Sequence, residues 1–351
     1  MTVDGLLILC ALIVGLALFF DYSNGFHDAA NVVATIVVTG AMTPRKALGL
    51  AALAHFVGPF LFGTAVAKTI GKGIIDVSTF DAAVVELSAA LLIAALVGAI
   101  SWNLITWAWG LPSSSSHALI GGMVGAILVA YGPDKILWNG LLYVMASLIF
   151  SPLLGLVFGA LFYRFTLRLS KKAKPTISGF FKQLQIPSSI ALSLSHGAND
   201  AQKSMGLITM GLVLLGYSTT FHIPFWVIFA CALAIALGTA TGGWRIIKTM
   251  GGKIYRLRAI HAFCAQTSSA SVILRSSPLG WPGLDDPCGL FQHHGGRGGR
   301  ETFGGSLGGG EKHCRGMVHH DSCFRGDGGF KFWGDPFDLF LAKRLRADEG
   351  P

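Results

Sequence analysis

Charge is what this chain has least of. Asp, Glu, Lys and Arg make up 13% of its 351 residues against 52% hydrophobic ones, and the mean hydropathy is +0.59. A soluble domain is about a quarter charged, so too few charged groups are present to cover two water-facing domains. Cysteine is also scarce. Six in 351 residues exclude a disulfide-stapled secreted scaffold. Cys10, Cys231 and Cys264 fall in apolar blocks, where they act as small hydrophobes. A basic leader with an A-x-A site is missing as well, so the apolar run 6–20 reads as a retained membrane helix and not as a signal peptide. Abundant aliphatic residues exclude disorder for most of the chain. What remains is an all-α polytopic membrane protein.

Apolar blocks run over 6–20, 25–42, 47–67, 82–101, 136–163, 189–216, 223–242 and 259–274. Most reach the roughly 20 residues that cross a bilayer. Two connections are basic. One carries Arg164, Arg168, Lys171, Lys172, Lys174 and Lys182, the other Arg245, Lys248, Lys253, Arg256 and Arg258. The positive-inside rule places both in the cytoplasm, and the two blocks between them keep the parity consistent. No folded basic face with base-reading residues is visible, so nucleic acid is not an expected partner.

The chain repeats itself. Gly25-Phe26-His27-Asp28-Ala29-Ala30-Asn31 aligns without a gap on Gly197-Ala198-Asn199-Asp200-Ala201-Gln202-Lys203, 172 residues later. A second pair, Gly110-Leu111-Pro112 and Gly280-Trp281-Pro282, recurs at an offset of 170. Duplicated halves with polar interruptions at matching places are the mark of secondary transporters. On a helix Asn24, Asp28 and Asn31 share one face. A carboxylate at membrane depth is costly unless it meets a cavity, an ion or a partner. Asp28 and Asp200 therefore read as cation or proton sites; the competing reading is an interhelical Asp–Asn staple.

The second marker begins Pro112-Ser113-Ser114-Ser115-Ser116-His117. Segments 102–111 and 118–130 are each too short to span, so together they are expected to form a re-entrant hairpin with a polar tip. Serines opening a helix offer hydroxyls and free N–H groups where the helix dipole is positive, which suits an anion. His117 is a proton carrier or a donor that orients the serines. A Ser–His hydrolase is disfavoured, because adjacent Ser116 and His117 do not face each other and no G-x-S-x-G elbow exists. The chain is read as no enzyme.

The segments N-G-F-H-D-A-A-N, H-G-A-N-D-A-Q-K and P-S-S-S-S-H together resemble the inorganic phosphate transporter family (PiT type), over about residues 1–282. The resemblance implies inverted repeats and symport of phosphate with Na⁺ or H⁺ by alternating access, without a resident cofactor. It implies cation-coupling roles for Asn24, Asp28, Asn31, Asn199 and Asp200, and a substrate-binding tip of Ser113, Ser114, Ser115, Ser116 and His117. Gln202, Lys203 and Ser204 are nearby second-choice candidates, with Gln202 and Ser204 set toward the substrate; Glu86 and the Gln266-Thr267-Ser268 run could face the same pathway. Glu86 is grouped with the cation-coupling set. Expected partners are inorganic phosphate, alone or as a neutral metal–phosphate complex, and the lipid of the inner (plasma) membrane; a homodimer is compatible. Sulfate or another oxyanion is the alternative cargo, since hydroxyls and amides discriminate poorly between tetrahedral anions.

On this reading residues 1–165 form a first repeat, 166–188 a basic loop, 189–282 a truncated second repeat and 283–351 an aberrant tail. The composition shifts there. Residues 1–277 hold 18 Lys/Arg and 8 Asp/Glu, a net of +10, whereas 278–351 hold 9 and 10, a net of −1, with 18 of the 46 glycines. After Pro282 the family has a second hairpin with a Ser/Thr-Thr-His tip, yet this chain reads Gly283-Leu284-Asp285-Asp286-Pro287-Cys288-Gly289-Leu290. Those residues can be encoded GGT CTC GAC GAC CCA TGT GGT CTC. Dropping one base yields V-S-T-T-H-V-V, and continuing through Gly295 adds S-S-S-I-M-G. A one-base frameshift near codon 283 is therefore the expectation; a chain that is non-functional, or needs a partner copy, for want of its second hairpin is the alternative to a working transporter. A metal module built on His313, Cys314, His319, His320 and Cys323 lacks recognised ligand spacing, and the tail is expected to stay unstructured.

Overall fold

The computed structural model describes residues 3–74, 85–109, 111, 113–171, 177–242 and 258–280. Among these residues it is all-α, with nine α-helices: α1 (Val3–Val38), α2 (Pro44–Leu61), α3 (Ala65–Gly73), α4 (Val85–Ala108), α5 (Ser115–Tyr131), α6 (Trp138–Leu169), α7 (Ile177–Leu214), α8 (Phe225–Thr241) and α9 (Ala259–Ser276). The domain boundary at 283, the tail and most of the second basic connection lie outside the described residues.

The distribution of side chains is inverted relative to a soluble protein. Helix α6 turns Leu142, Ile149, Phe150, Leu153, Val157 and Leu161 outward. Asp21, Asn24, His27, Asp28 and Asn31 of α1 are buried at mid-helix, as are His196, Asn199, Asp200, Gln202, Lys203 and Ser204 of α7. An apolar outside around a polar inside is the arrangement a bilayer favours, because lipid solvates the aliphatic surface and cannot solvate the polar groups. Three described helices, α1, α4 and α6, are long and apolar enough to cross a membrane, and a fourth span arises if α2 and α3, bent by 75°, count as one.

Several boundaries differ from the sequence reading. Blocks 6–20 and 25–42 merge into the single 36-residue α1, about 54 Å long at 1.5 Å per residue. Gly25 does not break it, because the i→i−4 ladder stays intact and α8 packs on the glycine. Segment 102–111 is no half-helix: residues to Ala108 belong to α4, itself 24 residues long. Only α5, at 17 residues, is a short membrane helix in that hairpin. The basic loop shrinks, since α6 runs to Leu169 and α7 starts at Ile177, carrying Lys182 and Pro187 within it. Block 47–67 divides at the bend between α2 and α3.

The repeats are interleaved. The helices that carry the duplicated motif run antiparallel: Ile13 approaches Gly211, Asp21 meets Ser204 and Thr39 meets Gln185. Each also packs on a helix from the other half, α1 on α8 and α2 on α7. A Cβ at Gly25 would meet the Ile235 backbone, and one at Gly238 would meet Tyr22 and Phe26. In the other seam a Cβ at Gly58 would meet Leu194 and Ala198, and one at Gly197 would sit 2.6 Å from His55 Cα. Small residues at both seams let backbones touch, which is how helices associate without a hydrophobic drive.

Candidate functional site

The antiparallel crossing of α1 and α7 places the two signature aspartates side by side. One carboxylate oxygen of Asp28, one of Asp200 and a ring nitrogen of His196 all lie within 4.8 Å of one another, and all three residues are buried. Around Asp28, Oδ1 is 2.9 Å from His27 Nδ1 and accepts from Asn31 Nδ2 at 3.3 Å. Around Asp200, Oδ1 accepts from Lys203 Nζ at 2.7 Å and Oδ2 lies 3.0 Å from His196 Nδ1. Helical spacing makes this possible. Asn31 stands three residues beyond Asp28, Lys203 three beyond Asp200, and His196 four before it, so each partner shares its aspartate's face.

The first turn of α5 closes the gap between the two carboxylates. Ser115 Oγ donates to Asp28 Oδ2 at 3.5 Å and accepts from Lys203 Nζ at 3.2 Å. Ser114 caps α5 by accepting from His117 N at 3.4 Å. Ser113 shares a hydrogen bond with Thr106 Oγ1 (2.9 Å), which lies 3.4 Å from His27 Nε2. The serine tip, the Asp28 group and the Asp200 group are thus one polar chain at the buried centre of the bundle. A helix N-terminus, hydroxyls and an ammonium converge from one side, carboxylates from the other. Such a site can hold an anion and a cation together.

The sequence candidates separate into three sets. Asp28, Asn31, Asp200 and Ser115 are in the chain just described, Ser113 and Ser114 shape the tip, and Ser116 and Asn199 are buried beside it. Asn24, fully buried, has neither amide atom hydrogen-bonded, which leaves it a ligand pair to offer. Gln202 and Ser204 are committed elsewhere. Gln202 Oε1 accepts from Val66 N (3.0 Å) and Ala67 N (3.4 Å), capping α3, while Ser204 Oγ donates to Asp21 Oδ1 at 2.6 Å. Glu86 and His117 are exposed, outside the cluster, because each falls on the outward face of its helix. Gln266 bridges Ser188 and Thr35 at 2.7 and 2.8 Å, away from the aspartates.

Residues the sequence reading left out are His27, His196, Asp21 and Thr106, while Lys203, named there only as a nearby second choice, joins Asp200 to Ser115. The signal for Lys203 was available, for the repeat alignment sets it opposite Asn31 and so one turn from an aspartate.

Comparison with known proteins decides the family. The profile described as the phosphate transporter family matches residues 24–283. The chain belongs to the phosphate transporter family. This transporter is 46% identical over 272 residues to a Rhizobium meliloti (strain 1021) protein named "Probable low-affinity inorganic phosphate transporter", covering 77% of this chain and 79% of the relative. A Bacillus subtilis (strain 168) protein of the same name is 44% identical over 281 residues, covering 80% and 83%. A solved structure titled "The sodium-dependent phosphate transporter" superposes with a TM-score of 0.72 at 26% identity, over 85% of this chain and 92% of that one. The transporter is a multi-pass membrane protein and not an enzyme. Its family match stops at residue 283, where the sequence leaves the family pattern.

Proposed function

We propose that the chain carries inorganic phosphate across the inner (plasma) membrane together with a cation, by alternating access between two inverted repeats. One observation carries this reading: Asp28 and Asp200, equivalent by a 172-residue offset, meet at the centre of antiparallel helices against the serine tip of α5. Phosphate would be held at Ser113, Ser114, Ser115 and Ser116, with oxygens facing hydroxyls and the free N–H groups of the first turn. The coupled cation would sit on the Asp28 side, where carboxylate and amide oxygens of Asp28, Asn31 and Asn24 suit a hard ion. The solved relative's title names sodium, which favours Na⁺; H⁺ on the same carboxylate is the rival. The exchange of α2 and α8 between halves gives a scaffold on which the halves can rock.

Uptake of labelled phosphate into proteoliposomes tests the reading. Asp28→Ala and Asp200→Ala should each abolish cation-coupled uptake, and full activity in both would sink the assignment. Sulfate competing as well as unlabelled phosphate would reassign the cargo to oxyanions in general.

A further inference from the structure

The two halves of the site are built from the same template; they differ beside the aspartate, His27 against Asn199, and, three positions beyond it, in charge. Asp28 and Asp200 correspond, and so do Asn31 and Lys203. In the first half the residue three positions on is a neutral amide, 3.3 Å from its aspartate. In the second it is an ammonium at 2.7 Å, with both side chains wholly buried. We propose that Lys203 is a tethered cation: it fills, on the Asp200 side, the place a mobile coupling ion takes on the Asp28 side, so this transporter binds one metal cation fewer at its paired aspartates than a symmetric pair would.

The chemistry supports the exchange. An ammonium and Na⁺ carry the same charge, and a short N⁺–H···O⁻ contact satisfies a buried carboxylate as an oxygen-bound cation would. A second cation on Asp200 would sit beside the first, in a medium that screens poorly. Lys203 also does what a free ion could not do permanently. Its Nζ reaches Ser115 Oγ at 3.2 Å, so a fixed positive charge stands beneath the first turn of α5. That charge adds to the helix dipole exactly where an anion would be held and stays when the coupling ion leaves. The ion pair and helix terminus thus make the anion subsite independent of Na⁺, while the Asp28 side remains the ion-responsive one.

This inference rests on the phosphate-transport reading for its meaning, and its test is chosen to stand apart from it. The purified full chain in detergent is titrated with NaCl against choline chloride at constant ionic strength, with the thermal unfolding midpoint as readout. Lys203→Asn, which copies the first half, should gain a saturable Na⁺-dependent rise in midpoint beyond that of the unmodified chain, by at least a tenfold shift in half-saturating Na⁺. Lys203→Met, which offers no oxygen, should show no such gain. Identical Na⁺ responses in the unmodified chain and Lys203→Asn would overturn the proposal. Should Lys203→Asn fail to fold, Asp28→Asn and Asp200→Asn serve instead. The unmodified chain's Na⁺ response should vanish in the first and persist in the second, and the reverse pattern overturns the proposal. Phosphate uptake by the unmodified chain is measured in parallel, and its absence in every ionic medium would fault the transport reading alone.

Discussion

Replacing Gly197 by alanine adds one methyl group at a close approach of the α2–α7 seam. That methyl would lie 2.6 Å from His55 Cα and 3.0 Å from His55 Cβ and Cδ2. Carbon atoms pack at about 3.5–4.0 Å, so the shortfall is roughly 1 Å against the nearest atom. The obstacle is backbone, which cannot swing aside as a side chain does; α2 and α7 must separate instead. Separation strains the His55 Nδ1–Thr239 Oγ1 contact at 2.7 Å and shifts Asp200, less than one turn away. Overpacking of this kind costs about 1–3 kcal/mol. Alanine also gains about 1 kcal/mol of helix propensity over glycine, so a control is needed that has the gain without the clash. Gly49 in α2 supplies it, having nothing within 4 Å of a built Cβ. The difference between Gly197→Ala and Gly49→Ala should be about 1–3 kcal/mol. The shift per kcal/mol is about 2–4 °C for chains of 150–250 residues and falls with length, so for this longer chain the gap is on the order of a few degrees in Tm. Tryptophan-fluorescence melts of purified full-length protein in detergent would measure it. Gly25→Ala, its counterpart in the α1–α8 seam, should fall with Gly197→Ala. Equal midpoints for Gly197→Ala and Gly49→Ala would refute the close-approach argument.

Three further outcomes follow from the same geometry. Asp200→Ala and Lys203→Met should each cost about 3–5 kcal/mol by leaving a buried charge unpaired, and the double variant should cost clearly less than their sum; additivity in the melts would mean the two side chains do not act as a pair. Glu86→Gln and His117→Ala, both at the surface, should leave phosphate uptake within about twofold and stability within about 0.5 kcal/mol, and a tenfold loss of uptake in either would return that residue to the pathway. Sequencing the gene around codon 283 should reveal a one-base slip, and the frame-corrected protein should exceed this chain in uptake; a gene in which no single-base shift restores an apolar C-terminal half would end the frameshift explanation.

Much of the architecture could be read directly from the residues. Membrane class followed from the charge deficit, and the repeat followed from two markers at offsets of 172 and 170 residues. Asp28, Asp200 and the serine tip were legible because a buried carboxylate and a serine-opened helix have few uses in lipid. Helix boundaries were less legible. Asn24-Gly25 looks like a break, yet the glycine serves an interhelical contact that only the fold reveals. Gln202 and Ser204 look like site residues by position alone, but helical rotation turns one to α3 and the other to Asp21. Lys203 was legible only as a nearby second choice, because its meaning depends on Asp200 and Ser115, which are 3 and 88 residues away.

The interleaving of the two halves also imposes a waiting time during synthesis. Asp21 finds its hydroxyl partner Ser204 only after 183 further residues are made. At about 5–20 residues per second this is roughly 10–40 s. Through that interval α1 sits in or beside the bilayer with Asp21 lacking its hydroxyl partner from the second half. Until α7 arrives the first helix therefore carries a carboxylate whose pairing is still to come, the costly state for such a group at membrane depth.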